Sequence, residues 1–132
     1  MADQLSGHID EYTRIEIFLP FKTQSEVTAG LRLIHHVQNA RLTGQRYRYS
    51  GLTHTAQLPT VFQGAWWSKK QRKWVIDKLV ILMLDLDIPY TDRQRVAQEA
   101  DELKRLTDQS YAHAGAKQID IWVVTYGIGH VP

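Results

Sequence analysis

The sequence predicts an α+β domain, and three observations carry that prediction. Two segments repeat their apolar residues at helical intervals, three others alternate or run apolar in the manner of strands, and two strand-like stretches follow one another between the helices. The 132 residues suffice for one ordinary domain with a single core, and 43% hydrophobic and 23% charged residues are typical of a globular chain.

The residues numbered 1–12 form a polar lead-in, expected to be flexible. "TRIEIFLP" then alternates Ile15, Ile17 and Leu19 with Arg14, Glu16 and Phe18 and stops at Pro20, which predicts the first strand. Thr23 and Glu26 have capping-box spacing, and Val27, Leu31, Ile34 and Val37 continue as a helical stripe until Thr43 and Gly44. "RYRYSGLTHTAQLPTVFQGAWW" is rich in β-branched and aromatic residues but broken by Gly51, Pro59 and Gly64, so it reads as one irregular edge strand. "SKKQRK" makes a hairpin tip, and the longest strand runs from Trp74 to Asp87. Thr91 or Asp92 caps a second helix whose stripe is Val96, Ala100, Leu103, Leu106 and Tyr111, ending at Gly115. "KQIDIWVVTYG" closes the chain with Ile119, Ile121 and Val123 on one parity and Asp120, Trp122, Val124 and Tyr126 on the other.

The order is strand, helix, strand, strand, helix, strand, the split βαβ pattern (βαββαβ) of ferredoxin-like domains, an antiparallel sheet with two helices on one face. The long strand holds six consecutive apolar residues, Leu79 to Leu84. Helices on one face explain half of them. Leaving Leu79, Ile81 and Met83 wet on the other face would forgo about 1.5–3 kcal/mol each, against roughly 5–15 kcal/mol for a whole domain. Phe18 and Trp122 belong to the same face. These five residues are therefore the expected interface with a second copy, since symmetric homodimers are the commonest soluble oligomers.

Across "IEIFLP", "SGLTHTAQLPTVFQGAWW", "DKLVILMLDLD" and "QIDIWVV" the chain resembles a set of small uncharacterised bacterial proteins. These open with a Glu-Ile-Tyr/Phe-Leu-Pro-like strand, carry a Gly-Gly-Val-Thr-like segment and a Gly-x-Trp hairpin, and end on a strand with an acid, an isoleucine and an aromatic or aliphatic residue. The resemblance implies a ferredoxin-like fold and a bacterial source and brings no activity with it. The chain departs from the pattern at "GQRYRYSG", where extra basic and aromatic residues precede the threonine segment.

Several side chains are candidates for chemistry. His54, between two threonines on a strand-like stretch, could act as a general base, and Glu16 and Asp77 are carboxylates with the parity of the open face. Asp85, Asp87 and Asp120 could join them, although Asp-x-Asp spacing is weak evidence and equally suits solvated strand ends. Arg46 and Arg48 alternate with tyrosines and could grip a carboxylate or phosphate, with Trp66, Trp122 and Tyr126 walling a small-molecule pocket. His35 and His36 are neighbours about 100° apart on a helix, not the i, i+4 pair of a zinc site. His113 stands near a helix end, and His8 and His130 are placed in tails. No metal site, phosphate loop or nucleophile elbow is present, so no metal or cofactor is expected.

Lys69, Lys70, Arg72 and Lys73 lie between Trp67 and Trp74, a pattern that suits nucleic acid or a protein partner. A net charge of +2 and the lack of a Lys/Arg-Gly-aromatic signature on the long strand argue against nucleic acid. The absence of cysteine and the polar start point to the cytosol, and the apolar run is too short for a membrane span. The expectation is a homo-oligomeric domain that associates through its open face and leaves room for a small molecule. A small cofactor-independent acid/base enzyme is the alternative.

Overall fold

Alternation, capping and the long apolar run each produce the element they predict. A computed structural model describes residues 8–42, 49–54, 62–116 and 120–132, with backbone alone for 40–42, 49–54, 62–64, 66, 76 and 77. The elements are β1 (Asp10–Pro20), α1 (Gln24–Leu42), β2 (Tyr49–His54), β3 (Phe62–Ser68), β4 (Lys73–Leu86), α2 (Arg93–His113) and β5 (Val123–His130). Five antiparallel strands form one sheet in the order β2-β4-β1-β5, with β3 also paired to β4, so the fold is α+β.

The middle segment differs from the single edge strand that its composition suggests. β2 lies along the Leu82–Leu86 end of β4 and β3 along the Lys73–Leu79 end. A 14-residue strand is long enough to take two short partners in tandem on one edge. The first strand also starts earlier than expected, at Asp10, because Asp10, Glu11 and Tyr12 pair with His130, Gly129 and Ile128. His130 is thus in the sheet rather than in a tail, with its ring 6.2 Å from that of Tyr12.

One face of the sheet carries the core. Ile15, Ile17 and Leu19 of β1 and Val80, Leu82, Leu84 and Leu86 of β4 are 0–1% exposed and pack with residues of both helices, including Leu33, Val37, Val96, Leu103 and Tyr111. Polar groups at the edges of this core are satisfied. The Thr13 hydroxyl donates to the Ile88 carbonyl at 2.7 Å, and the Tyr111 hydroxyl to the Pro20 carbonyl at 2.8 Å.

The capping box of α1 is formed. The Glu26 N–H donates to Thr23 Oγ1 at 3.2 Å, while Glu26 Oε1 accepts from the Thr23 N–H at 3.0 Å and the Lys22 N–H at 2.8 Å. The stripe that follows keeps Val27, Ile34 and Val37 against the core but not Leu31, which is 46% exposed, and Ala29, Gly30 and Leu33 complete the inward face. Gly30 lets Phe21 and Tyr111 come close: a Cβ there would sit 3.1 Å from both. At α2, Asp92 rather than Thr91 supplies the cap, accepting from the Arg95 N–H at 3.4 Å. The helix ends in a Schellman motif, with Gly115 at φ 78°, its N–H bonded to the Ala112 carbonyl and the Ala116 N–H to the Tyr111 carbonyl. Among the described residues no helix is long and apolar enough to cross a membrane.

Candidate functional site

With both helices on one side, the other face of the sheet is assembled row by row from β4, β1 and β5. Pairing register sets Asp85, Arg14 and Tyr126 abreast in one row and Met83, Glu16 and Val124 in the next. Ile81 and Phe18 make the third row, extended to Trp122 by the bond from the Phe18 N–H to the Trp122 carbonyl at 3.0 Å. Two polar elements thus abut an apolar and aromatic field.

The polar part is tightly paired. Arg14 Nε donates to Asp85 Oδ1 at 2.8 Å and Nη2 to Oδ2 at 3.1 Å, a bidentate fork that holds the guanidinium pKa above its ordinary value. The Tyr126 hydroxyl donates to Glu16 Oε1 in a short hydrogen bond. That bond first, then burial and the Glu16 charge, raises the Tyr126 pKa, and Arg14 opposes the rise. One arginine and two carboxylates leave the group one negative charge when Tyr126 is neutral. Glu16 has room for a further hydrogen bond from a ligand, since a carboxylate has more acceptor sites than one phenol fills.

The apolar field is uneven. Leu79, Ile81, Met83, Phe18 and Trp122 all have the parity of the open face, as their alternation requires. Leu79 is nonetheless only 8% exposed within the single chain, so a partner would gain little by covering it. Ile81, Met83 and Phe18 are half-buried, whereas Trp122 is 59% exposed.

Of the other candidates, Asp87 is exposed past the end of β4, and Asp120 precedes β5, four residues from the Val124 that faces Glu16. Asp87 and Asp120 therefore do not join Glu16 and Asp85, and among the described residues no three histidines or acids are grouped to hold a metal ion. His54 ends β2 at a position paired with Leu82, in register with the helix-covered rows rather than with Glu16. Asp77 pairs with Gly64 and Trp66 with Val75 in the β3–β4 ribbon, where their backbones alone are described. Arg46 and Arg48 lie outside the described residues. His35, His36 and His113 are exposed on the helices, and His8 Nε2 contacts Asp10 Oδ1 at 2.8 Å.

Two features have little local signal. Arg14 looks like an ordinary polar residue of an alternating strand, and only the register with Asp85 and Tyr126 reveals its place. A groove of about 680 Å³ between α1 and α2 is lined by Arg32, Leu33, His36, Leu106, Gln109 and His113, among others. The i, i+4 spacing of Arg32 with His36 and of Gln109 with His113 puts each pair on one helix face, but nothing in either segment announces the other. Compared with protein-family models, curated proteins and solved structures, the chain has no match.

Proposed function

We propose that this chain is a ferredoxin-like domain that joins a second copy of itself through the open sheet face and holds a small molecule beside Arg14, Glu16 and Tyr126. Counting β2 and β3 as one interrupted edge strand, the order edge–β4–β1–β5 with two helices on one face supports the split βαβ reading. The observation that carries the association is the row Ile81, Phe18 and Trp122, with Trp122 59% exposed at its end. A large ring held in water beside half-buried apolar neighbours forgoes burial that a self-complementary contact supplies. The lack of cysteine suits such a role in the bacterial cytosol. Sedimentation velocity at micromolar concentration is expected to give twice the chain mass, and Trp122→Glu to give the monomer. A monomeric parent protein at those concentrations sinks the reading.

A second reading, a cofactor-independent acid/base enzyme, is favoured by one contact, the hydrogen bond of Tyr126 to Glu16. Glu16 would accept a proton from a molecule lying between sheet and partner, with Tyr126 orienting the carboxylate. Mass spectrometry of the denatured protein, purified without added ligand, tests for such a molecule. Its loss in Glu16→Gln supports the site, and its conversion by the parent protein alone selects the enzyme.

A further inference from the structure

The outer part of the β3–β4 hairpin belongs neither to the core nor to the open face. β1 accompanies β4 only as far as Leu79, so the six residues Lys73–Lys78 have β3 as their strand partner and continue as a two-stranded arm. Near its end Trp67 and Trp74 face each other in register and meet edge to face, with ring centroids 5.9 Å apart. They remain 52% and 65% exposed. The turn beyond them is closed on Ser68: the Arg72 N–H donates to the Ser68 carbonyl at 2.7 Å and the Gln71 N–H to the Ser68 hydroxyl oxygen at 3.1 Å. Lys69, Lys70, Arg72 and Lys73 are all exposed, and among the described residues none of them is in an ion pair. The two rings brace the hairpin through their edge-to-face contact and still leave half or more of their surface open.

We propose that this arm binds single-stranded nucleic acid. Four cations within five residues supply the neutralisation that a phosphodiester backbone needs, far more densely than a net charge of +2 suggests. Exposed indole faces just behind them supply stacking platforms for bases, and stacking requires bases freed from a duplex. The polarity of the arm disfavours a lipid surface, because the charges form its extremity and the rings lie behind them, whereas insertion needs apolar groups leading. The missing Lys/Arg-Gly-aromatic signature concerns a different surface, the open face of the sheet. The proposal is independent of whether that face is covered by a second copy.

The test is fluorescence anisotropy of labelled 12-nucleotide DNA and RNA single strands with the full chain, together with its tryptophan emission. Binding is expected to quench the emission and to weaken with salt, with a log–log slope of about −3, as four cations on a single strand require. Lys69→Glu with Lys70→Glu should weaken binding at least about tenfold at 50 mM salt without changing Tm or sedimentation. Trp74→Ala should weaken it by about five- to a hundredfold, with Trp74→Phe retaining most of the affinity. If Trp74→Ala disturbs the hairpin, the charge-reversed variant still decides, because its substitutions are at exposed turn positions. No binding at 50 mM salt overturns the proposal. So does equal affinity for duplex with unchanged emission, which marks plain polyanion attraction. Blue-shifted emission on phosphatidylserine vesicles with no oligonucleotide binding assigns the arm to a membrane instead.

Discussion

At the scale of single residues, the open face is governed by which side chain pairs with which across 71 and 110 positions of sequence, the separations of Arg14 from Asp85 and of Glu16 from Tyr126. Tyr126 reports on this arrangement. Its pKa is raised chiefly by the hydrogen bond to Glu16, so Glu16→Gln weakens that bond and removes the charge behind it, leaving burial, which still raises the pKa, opposed by Arg14. Tyrosinate absorbance near 295 nm, assigned by difference against Tyr126→Phe, is expected to show Tyr126 ionising at lower pH in Glu16→Gln than in the parent. An unchanged titration would mean that the contact does not form in solution. Glu16 and Tyr126 were legible as members of one face from strand parity alone. Arg14 shares that parity, but its pairing with Asp85 and its place beside Tyr126 were hidden, because they lie in the register with two distant strands. The register of His54 with Leu82 was equally hidden, since it depends on a bulge between Tyr49 and Gly51 that shifts the pairing of β2.

At the scale of elements, capping signals and apolar stripes were both legible, the stripe of α2 at each of Val96, Ala100, Leu103, Leu106 and Tyr111. Thr23 and Glu26 formed the box that their spacing announces, and Gly115 ended α2 at a positive φ. The stripe of α1 was right at Val27, Ile34 and Val37 and wrong at Leu31, because the inward face there uses Ala29 and Gly30, small residues with little hydrophobic signal, while Leu31 stands out in solvent. The carboxylate of Glu26 does more than an exposed cap would. It is 6% exposed and accepts two backbone N–H groups that otherwise lack a partner. Glu26→Ala is expected to cost about 0.5–2 kcal/mol in urea-unfolding free energy, the cost of losing one half of a capping box, with the fold retained.

At the scale of the whole molecule, the α+β class, with two helices and an antiparallel sheet, was legible from the succession of patterns, whereas the splitting of the edge strand and the groove between α1 and α2 were not, since neither helix encodes the other's position. The joint between β1 and α2 makes stability depend on alkali. Tyr111 is 4% exposed and hydrogen-bonded to the Pro20 carbonyl, and burial, with a smaller contribution from Glu26, raises its pKa. In the unfolded chain it ionises near pH 10. Above that pH the unfolded state holds fewer protons than the folded one, so stability is fully present below pH 10 and falls as pH climbs toward the folded pKa. Unfolding titrations between pH 7 and 12 should show this decline, and Tyr111→Phe should start lower, having stranded the Pro20 carbonyl, but decline less steeply. One more consequence follows from where β1 finds its partners. Among the described strand pairs only β3 and β4 join through a short turn, and the first strand waits for segments synthesised long after it. Closing such long loops is slow, so the hairpin should form early and the central strand late. Stopped-flow refolding should then give φ-values that are high for Trp67→Phe and low for Ile17→Val, with the greasy middle strand the stretch most prone to aggregate while it waits.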